Sequence, residues 1–231
     1  VLLVVAATGR ELAAALGVKD CGPQGAVTEL SVHGRSVLAL VAGIGVVNTA
    51  LELGRALGWS DVTGVLDVGV AGSFDLGAHP VGCVRLVERE CWPEYGLLCT
   101  GAVAADARGL GFALDGGAPG ADAIFDSLEW SAAAELPSLG LAAEGWTTAT
   151  SLTVSGVTAD PQRAQALFGR FGAGLENMEG FAAAYAARRA GLPFAELRAV
   201  SNPVGARPPH DWNLPGALDA LGQAVRRLFE A

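Results

Sequence analysis

The chain has 231 residues, a formal net charge of −9, 51% apolar and 17% charged side chains. A chain of this size buries well over half of its unfolded surface, and so apolar a composition excludes a disordered segment. The acidic balance repels phosphate backbones and anionic lipid, so neither nucleic acid nor membrane is an expected partner.

The first six residues, VLLVVA, read as a buried strand. Arg10 and Glu11 follow at once, which fits neither a signal peptide nor a membrane span. Residues 9–16 read as a helix closed by Gly17. Residues 31–33 and 37–42 read as two strands around a turn at Gly34-Arg35, and a helix near 46–57 is closed by Gly58. Further strands are expected over 62–70 and 81–88. The stretch 89–145, rich in Gly, Ala and Pro, has no clear period; loops, weak strands and one short helix near 121–135 are expected there. Residues 147–154 read as a strand. Asp160-Pro161 reads as an N-cap followed by proline at the first helical position, with the helix reaching Phe171. A short strand over 175–178, a helix over 179–190, a strand over 194–201 and a last helix over 214–230 complete the series.

Strands alternating with helices imply an α/β fold: a three-layer αβα sandwich around a central mixed, mostly parallel sheet. No repeat or low-complexity linker interrupts it, so a single domain over 1–231 is expected. Cys21, Cys83, Cys91 and Cys99 form no C-x-x-C pair, and the three histidines are His33, His79 and His210. No metal site and no cofactor is expected. Reduced thiols in a cytoplasmic protein are the main reading, disulfides the minor one.

In such sheets ligands bind beyond the carboxyl ends of the strands. Glu11 follows the first strand; by itself it is more often a carboxylate complementing a helix dipole than a functional one. The second strand ends in AGIGVVNTA, which is neither G-x-G-x-x-G nor a Walker loop. The third ends in LDVGVAGSF, where Val70, Ala71 and Gly72 make a flat shelf suited to a sugar or a purine, or simply to close backbone packing. Met178 and Glu179 lie at a strand-to-helix junction, where the dipole favours an ionised carboxylate able to accept from two adjacent ribose hydroxyls. Asn202 ends the last strand before Pro203; it is either a turn residue or a donor–acceptor pair for a purine.

The series VVAATGRE, AGIGVVNTA, DVGVAGSF, ENMEG and AVSNPVGAR, in this order, resembles the nucleoside phosphorylase/nucleosidase superfamily. Within it the chain is most similar to the futalosine hydrolases, with methylthioadenosine/S-adenosylhomocysteine nucleosidases as close relatives. The resemblance covers nearly the whole chain except 89–145. It implies a phosphorylase/hydrolase-like nucleosidase domain acting on a small nucleoside, and a homodimer or larger homo-oligomer. Residues 90–99 are a candidate loop lent to a neighbour's site, or a lid of their own.

By position, the resemblance gives Glu11 the activation of water and Glu179, next to Met178, the ribose hydroxyls. It gives Val70, Ala71 and Gly72 the nucleoside shelf, Thr158 the base pocket through its backbone, and Trp212 the cover of the base. Asn202 stands where adenine-cleaving relatives carry Asp. An amide accepts from N7–H and donates to O6, which suits hypoxanthine, but it supplies no proton of its own. Asp67 and Val70 stand where purine phosphorylases show Arg and Ser, so phosphate is expected to be repelled. Arg207, five residues after Asn202, is assigned to the benzoate carboxylate of futalosine, with a solvated surface arginine as the alternative. The expected reaction is release of hypoxanthine from futalosine in menaquinone biosynthesis. A purine nucleoside phosphorylase or broader 6-oxopurine nucleosidase is the main alternative, to be separated by phosphate dependence and substrate preference. A non-catalytic nucleoside-binding protein is a lesser one, which the presence of both Glu11 and Glu179 disfavours. A dinucleotide-binding oxidoreductase lacks its glycine fingerprint.

Overall fold

The computed structural model describes residues 1–59, 61–97, 107–117, 122–205 and 211–230. Strand β1 (Leu2–Ala6) is buried on both faces. Its side chains alternate between two cores, Leu2, Val4 and Ala6 on one side and Leu3 and Val5 on the other. Helix α1 (Gly9–Leu16) follows with the predicted bounds. Strands β2 (Val27–Val32) and β3 (Arg35–Val41) form a hairpin. Its turn is His33-Gly34, both with positive φ (49° and 77°), as a two-residue hairpin turn requires. The expected turn at Gly34-Arg35 was one residue late: Arg35 opens β3 and pairs with Val32. Helix α2 (Val46–Trp59) runs through Gly58, which was expected to stop it.

The remaining elements are β4 (Gly64–Ser73), β5 (Val84–Cys91), β6 (Ser127–Glu129), α3 (Ala132–Ser138), β7 (Thr148–Thr153), α4 (Pro161–Phe171), β8 (Leu175–Asn177), α5 (Gly180–Ala190), β9 (Phe194–Pro203) and α6 (Leu214–Phe229). Asp160 caps α4 through the Gln162 N–H, with Pro161 at the first helical position, as read from the sequence. The helix expected near 121–135 begins only at Ala132, and β6 occupies part of that span. Glu90 and Cys91, expected in a loop, are buried at the end of β5, and Trp92 packs on Phe181 of α5.

Helices α1, α3 and α6 pack on one face of the sheet and α2 and α5 on the other, giving the expected three layers. Each fully buried Leu or Val in these layers contributes about 1.5–3 kcal/mol of transfer free energy. The sheet is more mixed than expected: among the described residues five strand pairings are parallel and four antiparallel. It is also not open throughout. β4 pairs with β9 along one edge; on its other edge it pairs with β1 over Gly64–Asp67 and with β8 at Gly72 and Ser73. Because β9 also pairs with β5, β5 with β7 and β7 with β8, the pairings close a five-strand ring. One layer inside it is apolar, with Ala71, Val87, Ala149, Leu175 and Val200 contributed one per strand. Among the described residues no helix is long and apolar enough to cross a membrane.

Candidate active site

The residues Thr8-Gly9-Arg10-Glu11 are a capping box at the start of α1. Thr8 Oγ1 accepts from the Glu11 N–H at 3.2 Å, and Glu11 Oε2 accepts from the Thr8 N–H at 3.1 Å and the Thr8 hydroxyl at 2.6 Å. These bonds turn the carboxylate toward the carboxyl end of the sheet. Its other oxygen, Oε1, accepts from the Val70 N–H at 3.1 Å, on the predicted shelf.

Beneath the shelf lies Arg198 of β9, 1% exposed. Its Nε donates to Glu196 Oε1 at 2.7 Å and its Nη2 to Asp67. A Cβ on Gly69 would fall 2.4 Å from Arg198 Nη1 and 3.2 Å from Glu11 Oε1. Only a residue without a side chain lets guanidinium and carboxylate approach each other there.

Glu179 is brought in from the far side of the sheet. Its Oε1 accepts from the Gly45 N–H at 2.8 Å, at the turn into α2, and its Oε2 from the Met178 N–H at 3.3 Å. Burial pushes its pKa above the ordinary carboxylate value; Arg198 and the Gly45 N–H pull it down, and Glu11 pushes it further up. Glu11 lies near enough for its charge to act on Glu179.

Asn202 stands at the end of β9, where the β4–β9 register slips beside Gly72. Its Oδ1 accepts from the Ser201 hydroxyl at 2.8 Å, and its Nδ2 donates to the Pro203 carbonyl at 2.9 Å. Among the described residues, one acceptor lone pair and one amide hydrogen of Asn202 are left without a partner. Ser201 also reaches the Ala71 carbonyl at 3.3 Å, and its own carbonyl accepts from the Asn213 N–H at 2.8 Å. This second bond tethers the half-buried Trp212 beside the strand tip. Both backbone groups of Thr158 are engaged, its N–H with Glu176 Oε1 at 2.9 Å and its carbonyl with the Gly205 N–H at 3.1 Å. Its buried Oγ1 has no partner among the described residues, and its carbonyl keeps a second lone pair, so Thr158 can present both hydroxyl and backbone. Met178 packs beside the cluster of Cys91, Leu152 and Leu167. Arg207 lies outside the described residues.

Asp67 does not face the shelf. It is fully buried on Arg198, and burial pushes its pKa up to about 8 against the pull of that guanidinium. Its expected part in repelling phosphate is therefore withdrawn, which leaves Glu11 as the carboxylate at the shelf. Arg198 itself escaped the sequence reading. The signal was present in FAELRAVS: Glu196 and Arg198, two apart, put opposite charges on one face of an otherwise apolar strand. They belong to a buried polar layer to which each strand of the ring contributes: Asp67, Glu90, Ser151 and Thr153, Asn177, and Glu196 and Arg198. Burial raises the pKa of both Glu90 and Glu196, with Arg198 opposing the rise in each.

A sequence model of the Phosphorylase superfamily matches residues 2–230. A futalosine hydrolase of Thermus thermophilus is 37% identical over 206 residues, covering 86% of this chain and 83% of that protein. One from Streptomyces coelicolor is 36% identical over 195 residues, 82% of this chain and 77% of its own. Among solved structures, a 5′-methylthioadenosine/S-adenosylhomocysteine nucleosidase of Helicobacter pylori superposes with a TM-score of 0.72 at 16% identity, over 97% of this chain and 95% of that one. The native futalosine hydrolase of Helicobacter pylori gives 0.66 at 18% identity, over 99% and 94%. The fold is thus that of these nucleosidases, and the chain belongs to the Phosphorylase superfamily and, within it, to the futalosine hydrolases.

Proposed function

We propose that this chain is an N-glycosidase that hydrolyses futalosine to hypoxanthine and dehypoxanthine futalosine. The observation that carries the reading is the pair of neighbouring carboxylates at strand ends, Glu11 on the Val70 N–H and Glu179 on the Gly45 N–H. Glu179 holds the ribose hydroxyls beside Met178. The C–N bond opens through an oxocarbenium-like sugar cation, and Glu11 takes the proton from the attacking water. Arg198, beneath Gly69, offsets the negative charge around that water. Val70, Ala71 and Gly72 form the shelf under the nucleoside, while Thr158 and Trp212 border the base. Solvent water supplies the proton that N7 gains as the C–N bond breaks, and Asn202 accepts from N7–H and donates to O6. Glu11 stands where a phosphate nucleophile would have to sit, which favours water.

Arg207 is proposed to bind the benzoate carboxylate; Arg207→Ala is expected to raise KM for futalosine, and an unchanged KM removes it from the site. The enzyme is proposed to be cytoplasmic and a homo-oligomer. An exposed apolar stripe supports the second point: Ile44, Val47 and Leu51, at 58%, 76% and 56% exposure, begin α2 beside the Gly45 that holds Glu179.

The deciding experiment measures free base released from futalosine, inosine and methylthioadenosine, each with and without phosphate. Phosphate-independent hypoxanthine from futalosine is expected. Phosphate-dependent release from inosine overturns the role of Glu11, and adenine release overturns that of Asn202.

A further inference from the structure

Glu179 occupies the N-cap position of α5, yet its side chain makes no capping bond. A capping side chain at this position accepts from the N–H of the second or third helical residue, here Phe181 or Ala182. The Phe181 N–H is taken by Thr153 of β7, and the two N–H groups before it by Asn177 of β8. Asn177 Oδ1 accepts from the Glu179 N–H at 2.8 Å and the Gly180 N–H at 2.7 Å. Thr153 Oγ1 accepts from the Phe181 N–H at 2.7 Å.

Both of these residues are held by Glu90, which is 0% exposed. Asn177 Nδ2 donates to Glu90 Oε1 at 2.6 Å, and the Thr153 hydroxyl donates to Glu90 Oε2 at 2.7 Å. The direction of each bond is dictated by the helix. With Asn177 Oδ1 facing two N–H donors, its amide nitrogen must face Glu90. With Thr153 Oγ1 accepting from Phe181, its single proton goes to Glu90 Oε2 at 2.7 Å over Asn177 Oδ1 at 3.5 Å. Glu90 therefore has to accept on both oxygens, which a carboxylate does and a carboxamide does not. The space is also closed to adjustment, since a Cβ on Gly180 would fall 2.6 Å from Glu90 Oε1 and 2.4 Å from Glu196 Oε1.

We propose that Glu90 is a positioning residue for the glycosidase reaction: through Asn177 and Thr153 it takes over the capping of α5 and leaves the Glu179 carboxylate free for the ribose. The proposal rests on Glu179 binding the ribose hydroxyls. When Glu90 cannot accept on both sides, Asn177 or Thr153 turns, an N–H of α5 is released, and Glu179 swings back to cap its own helix.

The test compares kcat and KM for futalosine and its 3′-deoxy analogue in the parent enzyme, Glu90→Gln and Thr153→Val. The parent is expected to prefer the intact ribose. Glu90→Gln should erode that preference, read as the ratio of kcat/KM values, by about tenfold or more, the scale of one hydrogen bond to a charged group. Thr153→Val, which cuts one of the two links, should erode it by a smaller factor. If Glu90→Gln does not fold, Thr153→Val decides alone. A folded variant with slower turnover or lower Tm but an unchanged ratio overturns the proposal, because general loosening does not single out one hydroxyl. A parent without any preference overturns the ribose-binding role of Glu179, and this proposal with it.

Discussion

The two site carboxylates both lie at helix starts, and the two starts are built in opposite ways. At α1 the cap is local: Thr8 and Glu11, three residues apart, satisfy each other, and the same bonds aim Glu11 at the shelf. At α5 the cap is only partly local: Asn177, two and three residues before the N–H groups it takes, is joined by Thr153 from 28 residues away, both backed by Glu90, and Glu179 caps nothing of its own helix. The first arrangement gives a fixed carboxylate, as a base acting on water requires. The second keeps a carboxylate at the helix mouth with its oxygens on the Gly45 and Met178 N–H groups instead of on its own helix. Its cost is a buried polar layer that must be satisfied throughout.

Glu11→Gln gives the sharpest test of this contrast. Glutamine can still close the capping box, but its amide nitrogen then faces the Val70 N–H, so Tm should fall modestly while kcat falls by about 10²- to 10⁴-fold. Steady-state kinetics beside a thermal melt checks both halves; an unaffected kcat removes Glu11 from the chemistry. Glu179→Gln should lower Tm only slightly, through the Gly45 or Met178 N–H that the amide nitrogen leaves unpaired, because α5 is capped elsewhere. Its KM for futalosine should rise about 10- to 100-fold, through loss of a hydrogen bond to a charged group. A clear drop in Tm would mean that Glu179 caps its helix after all.

Gly69→Ala probes the contact between the two halves, Arg198 beneath and Glu11 above. The added methyl lands on both, so a loss of about 1–3 kcal/mol in urea unfolding is expected, together with reduced kcat. Unchanged kcat would separate Arg198 from Glu11.

The smallest effect is one of pH. Asp67 has a pKa of about 8 in the folded chain against an ordinary 3.8, so folding favours its neutral form. The stability this group contributes is complete below about pH 4 and is lost as pH rises through about 8. Tm should therefore decline over that window, and Asp67→Asn should flatten the decline. An unaltered slope in the variant assigns the titration to other members of the layer.

Much of this site was legible because its parts are short and contiguous. Thr8–Glu11, Val70–Gly72, Met178-Glu179 and Asn202 are each set by a strand end and the turn after it, and a period-2 or period-3.6 pattern locates those ends. Arg198, Glu196, Glu90 and Asp67 were not placed, because a charged residue inside an apolar strand is read as solvated until its partners are known. Their partners are 2 to 131 residues away in the chain. Asp67 was even given the wrong task, since alternation along a strand says which residues share a face but not whether that face meets solvent or a closed ring.

The sequence by itself determined the alternation of strands and helices, the capping box that aims Glu11, and the order of the strand-end motifs, because each depends on residues within a turn or two of one another. Only the tertiary structure decided that β4, β9, β5, β7 and β8 close on themselves. It alone put one guanidinium among five strands' worth of polar side chains and freed Glu179 from its own helix. Those outcomes depend on hydrogen bonds between strands distant in sequence, and a buried polar group takes its role from whichever partner the fold brings within reach.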